Sequence, residues 1–397
     1  MRDGGTIAGG QLKSSTAGIA LLIAAVPAPI GGASTGLAPV PAAVAAAPVA
    51  LLVDLSAGQT LYARAADRRF QPASMTKAMS ALVAFDLIKA GKLDPAAGVT
   101  VAPALSAQWA GKGTTLSLRA GEWITVARLI EGMITASAND ATEVLAQHAA
   151  GSRKQWIALM NARARSLGMA DSTFASPSGW PDGGKTLVTA RDMVRLARAL
   201  IEEHPQLYRR YFGHPAMAWR GGVLSSRNPF AGRFPGADGI KTGHTSQAGY
   251  NFLGAIERDG RRLVLLIGGA PNEAARAGAA GALAGWGYTA WESRPLVAKG
   301  QVVGAARVQG GADRQVELVP LRDWRLAIPR GSTARVTTRL VYRGPLRAPL
   351  EAGQVVAGLE VSIAGQPAHD IPLATRRRVT RAGPFDRVVN GLLELRL

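Results

Sequence analysis

The chain has 397 residues, enough for two domains, and 47% apolar with 18% charged residues suits packed cores and excludes a mainly disordered chain. Lys and Arg number 46 against 27 Asp and Glu, a formal charge of +19 that favours acidic partners without choosing among anionic lipid, cell-wall polymer, nucleic acid and a carboxylate substrate. Absence of cysteine excludes disulfides and thiolate nucleophiles; with His148, His204, His214, His244 and His369 scattered, no metal or other cofactor is expected.

Residues 1–33 have the pattern of a secretory signal peptide. Arg2 and Lys13 precede an apolar run from Ala17 to Ile30, broken by Pro27 and Pro29 and followed by the small residues Gly31, Gly32 and Ala33. Residues 34–47 read as a Pro/Ala-rich extended linker. A β-hairpin follows in VALLVDLSAGQTLYARAADRRF, turning at Ser-Ala-Gly-Gln. The spacing then predicts helices over 74–90, 124–136, 140–150, 153–167 and 190–203, and strands in ADGIKTG, AGYNFLGAIERD and RRLVLLIGG. Asp259-Gly260 signals a tight hairpin between the last two, and an alanine-rich helix over 272–287 closes the segment. Strands at both ends with helices between them give an α/β layered architecture over 48–290. From 291 to 383 short alternating runs separated by Gly and Pro read as a small all-β domain. Residues 384–397 return to helical spacing.

Three short motifs carry chemistry. Ser74 opens an apolar helix and Lys77 follows on the same face; a hydroxyl becomes a nucleophile when a base takes its proton, and a lysine serves as that base once burial or a neighbouring cation makes it neutral. Ser137-Ala138-Asn139 offers a hydroxyl that could relay a proton and a carboxamide that could orient a peptide. Lys241-Thr242-Gly243 brings a second cation, and Gly243 would let substrate lie against the backbone. Singly, each has a plain structural reading: Ser74 and either Ser137 or Asn139 as helix caps, Lys241 as an edge-strand lysine, Gly243 as a turn residue. Together, in this order and on these elements, they match the set known for penicillin-binding proteins and class A β-lactamases.

With ITASANDATEVLAQHAAGS, ALMNARARSLGMADSTF, LVTARDMVRLARALI and DGIKTGHTSQAGYNFLGA added to those motifs, the sequence resembles the serine-type D-alanyl-D-alanine carboxypeptidases, low-molecular-mass penicillin-binding proteins of the DD-peptidase family. The resemblance implies a penicillin-recognising transpeptidase/β-lactamase-like domain, an antiparallel sheet flanked by helices, followed by a β-rich domain and a terminal amphipathic segment. It implies removal of the terminal D-alanine from peptidoglycan stem peptides through a Ser acyl-enzyme, with β-lactams as covalent inhibitors. By position, Ser74 would be acylated, Lys77 would be its base, Ser137 would relay protons between Lys77 and Lys241, and Asn139 would hold the substrate peptide. Backbone N–H groups of Ser74 and His244 would form the oxyanion hole, beside Gly243. Thr242 and Arg227 would bind the terminal carboxylate.

No ExxLN occurs between Asn139 and Lys241, so a β-lactamase is disfavoured, while the SGWPDGG loop departs from the family pattern near the substrate path. A non-catalytic cell-wall scaffold is disfavoured by the intact Ser74, Lys77, Ser137 and Lys241 set. Nucleic-acid binding is disfavoured because the basic residues are dispersed without a matching motif. The expected location is the periplasm. A helix over 384–397 would be roughly 21 Å long, too short to span a bilayer, and Arg376, Arg377, Arg378 and Arg381 precede it, so weak attachment to anionic lipid on the outer face of the inner membrane is expected.

Overall fold

The computed structural model describes residues 37–333, 335–363 and 368–384. The expected signal peptide and amphipathic C-terminal segment therefore lie outside the described residues, apart from Pro384. Two compact units divide the chain: a larger one reaching to Pro295 and including Arg325–Ser332, and a smaller one of 296–324 and the residues from Thr333 onward.

The larger unit is built on five antiparallel strands, β1 (Val49–Asp54), β2 (Gln59–Arg64), β3 (Ala237–Thr245), β4 (Gly249–Arg258) and β5 (Arg261–Ala270), in the order β2-β1-β5-β4-β3. The first and last strands of this sheet in sequence, β1 and β5, are thus neighbours, and most of the helices fall between them along the chain. Because side chains alternate across a strand, Leu51 and Val53 of β1 pack into the core on the helical face while Ala50 and Leu52 enter the core on the opposite face. With both faces covered, β1 is buried throughout and reads as a continuous apolar run rather than an alternation. Asp259 and Gly260, at φ 50° and 69°, make the predicted β4–β5 turn.

On one face lie α1 (Lys77–Lys89), α2 (Val126–Ile134), α3 (Asn139–Ala150), α4 (Arg153–Ser166) and α5 (Ala190–Glu203); on the other lies α6 (Glu273–Thr289). Caps set several starts: Thr125, Ser152, Thr189 and Asn272 each accept a backbone N–H from three residues on. In α1 every residue from Lys77 to Phe85 is buried, so this helix is the axis of the helical layer. The alanine and glycine content of α6 lets it lie close to the sheet: a Cβ on Gly287 would stand 2.7 Å from Leu52 Cδ2.

Several short elements escaped the periodicity: helices Pro103–Trp109 and Pro205–Tyr211, the strand pair Gly98–Thr100 with Trp123–Thr125, and the hairpin Ala216–Trp219 with Gly222–Ser225. Each is too short for a period to register. A strand at Trp324–Pro329 pairs with Trp291–Val297. Gln59 clasps its Ala327 backbone, donating to the carbonyl at 3.0 Å and accepting from the amide at 2.6 Å.

The smaller unit is a six-stranded sheet in the order Val336–Val341, Val355–Ile363, His369–Thr375, Gln315–Val319, Gly304–Gln309, Leu346–Arg347. Ala306, Val308, Val316, Leu318, Leu359, Val361, Ile371 and Leu373 are among its buried apolar residues. The fold class is an α/β domain with an antiparallel sheet between helices, followed by an all-β domain. The arginine run of the smaller unit is paired: Arg376 with Glu317, Arg377 with Asp313 and Arg378 with Glu351.

Candidate active site

Ser74 does not open α1. It sits in a 3₁₀ turn, Ala73–Thr76, and the α-helix begins at Lys77. Ala73 is held at φ 50°, a left-handed conformation costly for an alanine, immediately before the serine. The turn leaves Ser74 half-buried while Lys77, one turn on, has no exposure at all.

Lys77 Nζ has three partners: Asn139 Oδ1 at 2.7 Å, the Ser178 carbonyl at 2.8 Å and Ser74 Oγ at 3.0 Å. Two of these can only accept. A neutral amine has two N–H groups and one lone pair, so filling both acceptors turns the lone pair onto the hydroxyl of Ser74. Burial pushes the Lys77 ammonium well below the ordinary lysine range; the charge of Lys241 pushes the same way, and Glu143 and Asp140 oppose it. The site thus supplies both a neutral base and the direction in which it points.

Asn139 is the first residue of α3, anchored by its N–H to the Thr114 carbonyl at 2.8 Å. Ser137 is buried just before it at φ 61°, but its hydroxyl bonds to neither Lys77 nor Lys241, so the expected relay is not formed in this arrangement. Lys241 lies within β3, 4% exposed, with Nζ donating to the Thr242 carbonyl at 3.2 Å. Burial first, then the charges of Arg227 and Arg276, bring its pKa down to about 7. Arg227 is exposed on the loop before β3, close enough to be the leading charge acting on Lys241. Thr242 is buried beside Lys241, and the His244 ring lies 3.9 Å from that of Tyr250, its cross-strand partner.

Gly243 is required for a reason beyond the expected approach of substrate. A Cβ there would stand 2.2 Å from the Pro72 carbonyl oxygen and 3.2 Å from the Ser74 nitrogen. The nucleophile's own turn occupies that space, so a side chain at 243 would push the serine turn off the strand.

Of the groups around Lys77, sequence reading missed Ser178 and Glu143. Ser178 supplies the carbonyl, and its hydroxyl reaches buried Glu143 at 3.4 Å. Burial raises the Glu143 carboxyl pKa, against the pull of Arg153, whose Nε lies 3.4 Å away. Gly179, at φ +74°, passes so close to the serine turn that a Cβ would meet the Ala73 oxygen at 1.9 Å. Asp140 accepts from the amides of Leu116 and Leu118 at 2.9 and 3.0 Å and ties the loop before α2 to α3. Glu143 could have been found as the residue four beyond Asn139 on one helical face; Ser178 lies in a loop and carries no periodic signal. A further cluster, Asp86, Glu203 and His204, contains Arg163 paired to both carboxylates, so a guanidinium already supplies its positive charge.

Comparison with known proteins agrees with this geometry. The D-alanyl-D-alanine carboxypeptidase family, peptidase S11, matches residues 37–272, and the penicillin-binding protein 5 C-terminal domain matches 291–381. The chain is 31% identical over 353 residues to D-alanyl-D-alanine carboxypeptidase DacC of Escherichia coli, covering 85% of each protein. It is 30% identical over 346 residues to DacD of Salmonella typhimurium, covering 85% of this chain and 87% of that one. Penicillin-binding protein 5 of Haemophilus influenzae superposes with a TM-score of 0.74 at 28% identity, over 85% of this chain and 98% of that chain. Penicillin-binding protein D2 of Listeria monocytogenes, solved in an ampicillin-bound form, gives 0.56 at 29% identity, over 62% and 98%. A buried lysine aimed at a serine, beside a second lysine on the sheet edge, in a chain related to these proteins over most of its length, places it in the D-alanyl-D-alanine carboxypeptidase family as a serine-type DD-carboxypeptidase.

Proposed function

We propose that Ser74 attacks the carbonyl of the penultimate D-alanine in a peptidoglycan stem peptide ending in D-Ala-D-Ala, passing its proton to neutral Lys77. The C–N bond of the tetrahedral adduct breaks, D-alanine leaves with a proton returned from the lysine side, and a Ser74 ester remains. Water then opens the ester and the serine regains its proton. The three-way bonding of Lys77 Nζ carries this reading, because it leaves one lone pair and directs it at one hydroxyl.

In this scheme Asn139 Oδ1 keeps Lys77 in place while its Nδ2 faces the substrate amide. Lys241, Thr242 and Arg227 meet the terminal carboxylate, and the N–H groups of Ser74 and His244 hold the oxyanion beside Gly243. Ser137 carries the proton to the leaving amine once substrate fills the gap between the two lysines. β-Lactams acylate the same serine and leave slowly, since the chain has no ExxLN glutamate to activate a second water. Labelling with a fluorescent penicillin tests the assignment: wild type acquires a covalent adduct, Ser74→Ala does not, and an adduct retained by Ser74→Ala refutes it.

Export by residues 1–33 and weak attachment through 384–397 complete the proposal, placing the enzyme in the periplasm at the outer face of the inner membrane. No helix among the described residues is long and apolar enough to cross a membrane. Arg376, Arg377 and Arg378 are each paired with a carboxylate, which leaves Arg381 and the terminal segment to supply any attraction to anionic lipid. Deleting 384–397 moves the protein to the soluble fraction if this is right; unchanged fractionation refutes it.

A further inference from the structure

Behind the Ser178-Gly179-Trp180 segment lies a cavity of about 340 Å³ walled by Gln108, Trp109, Lys112, Arg153, Trp180 and Lys185. Trp180 links it to the catalytic groups. The Ser178 carbonyl accepts from Lys77, and Trp180, two residues on, lies over Gly113, where a Cβ would stand 2.5 Å from the indole and 3.0 Å from Asn139 Nδ2. The same turn of backbone therefore forms one wall of each space. Lys112 is presented between Gly111 and Gly113, both in the left-handed region at φ 69° and 65°.

The charge in this cavity is unbalanced. Lys112 and Lys185 are both exposed, and neither has a carboxylate within ion-pair distance among the described residues. Asp182, also on the wall, is already engaged by its own loop, accepting from the amides of Lys185 and Thr186 and from the Thr186 hydroxyl. Arg153 is shared with buried Glu143. The rest of the wall is aromatic: Trp109 and Trp180 meet edge to face at 5.4 Å. Trp109 is 5% exposed and its indole N–H is buried without an acceptor. Two lysines without a carboxylate partner, beside an aromatic surface, are what an acidic, partly apolar chain would need.

We infer that this cavity is a subsite for the upstream part of the substrate, in which Lys112 and Lys185 bind a carboxylate borne by a residue N-terminal to the scissile D-Ala-D-Ala bond. The inference rests on the carboxypeptidase reading and adds to it a preference for acidic donor stems. A peptide held at Asn139 and continuing past Trp180 reaches the lysines, whereas the free carboxylate at its other end stays with Lys241 and Arg227. Lys112 and Lys185 are specificity residues and touch none of the reacting atoms.

The test uses the full chain and two acyl-D-Ala-D-Ala peptides that differ only upstream, where one carries a carboxylate and the other its carboxamide isostere. D-Alanine release should favour the acidic peptide by about tenfold in kcat/KM, through KM, as one charge-assisted contact allows. Lys112→Ala/Lys185→Ala should bring that ratio to about one, and Lys112→Arg/Lys185→Arg should restore it. Equal rates for the two peptides in wild type, or a preference that survives the double alanine variant, would overturn the subsite. Failure of the wild type to release D-alanine from either peptide, or to take a penicillin label, would instead overturn the carboxypeptidase reading.

Discussion

Replacing Lys241 with methionine should make the larger unit more stable while removing its chemistry. Lys241 titrates near 7 instead of its ordinary 10.5 because burial disfavours the ammonium and Arg227 and Arg276 repel it. Between these two values the unfolded chain holds a proton that the folded chain has released, so wild-type stability rises with pH through that window. At 1.36 kcal/mol per pH unit, keeping Lys241 charged inside the fold costs about 5 kcal/mol below pH 7, of which about 2 kcal/mol is recovered between pH 7 and 9. Methionine fills much of the same volume without a charge and gives up only the 3.2 Å bond to the Thr242 carbonyl, worth about 1 kcal/mol. Urea unfolding of both proteins from pH 6 to 9 should therefore show Lys241→Met ahead by about 2–4 kcal/mol at pH 6, with the gap closing by about 2 kcal/mol at pH 9. The raised Glu143 carboxyl is present in both proteins and cancels from the difference. The reasoning fails if the variant is less stable than wild type at pH 6, or if the gap does not change with pH.

Asn139→Asp places a carboxylate 2.7 Å from Lys77 Nζ, which favours the ammonium; acylation by a chromogenic cephalosporin should fall at least about tenfold at pH 7 and its acid limb should move to higher pH. Gly243→Ala puts a methyl against the Pro72 oxygen and the Ser74 nitrogen, so acylation should drop by about 100-fold with the circular dichroism of the fold retained. Arg276→Gln removes a positive neighbour of Lys241 and raises its pKa; the alkaline limb of kcat/KM for D-alanine release, set near 7 by Lys241 in the free enzyme, should shift upward.

What could be read from the order of residues alone was whatever depends on spacing. Period 3.6 placed α2 through α6 to within a few residues, and Asp259-Gly260 marked its hairpin, because caps, turns and amphipathic faces are local physics. Motif spacing also brought Ser74, Lys77, Ser137 and Lys241 forward as a set, with Asn139 beside them. A second constraint on Gly243 was not legible, since nothing in Lys-Thr-Gly says that the backbone of Ser74 will lie against it.

Only tertiary packing decided which groups surround Lys77. The Ser178 carbonyl arrives from a loop 101 residues away, and the Lys241 charge from a strand at the far end of the domain. Burial and long-range juxtaposition are properties of the assembled sheet and its helical layer. They convert a lysine, by itself a permanent cation, into a base with one free lone pair.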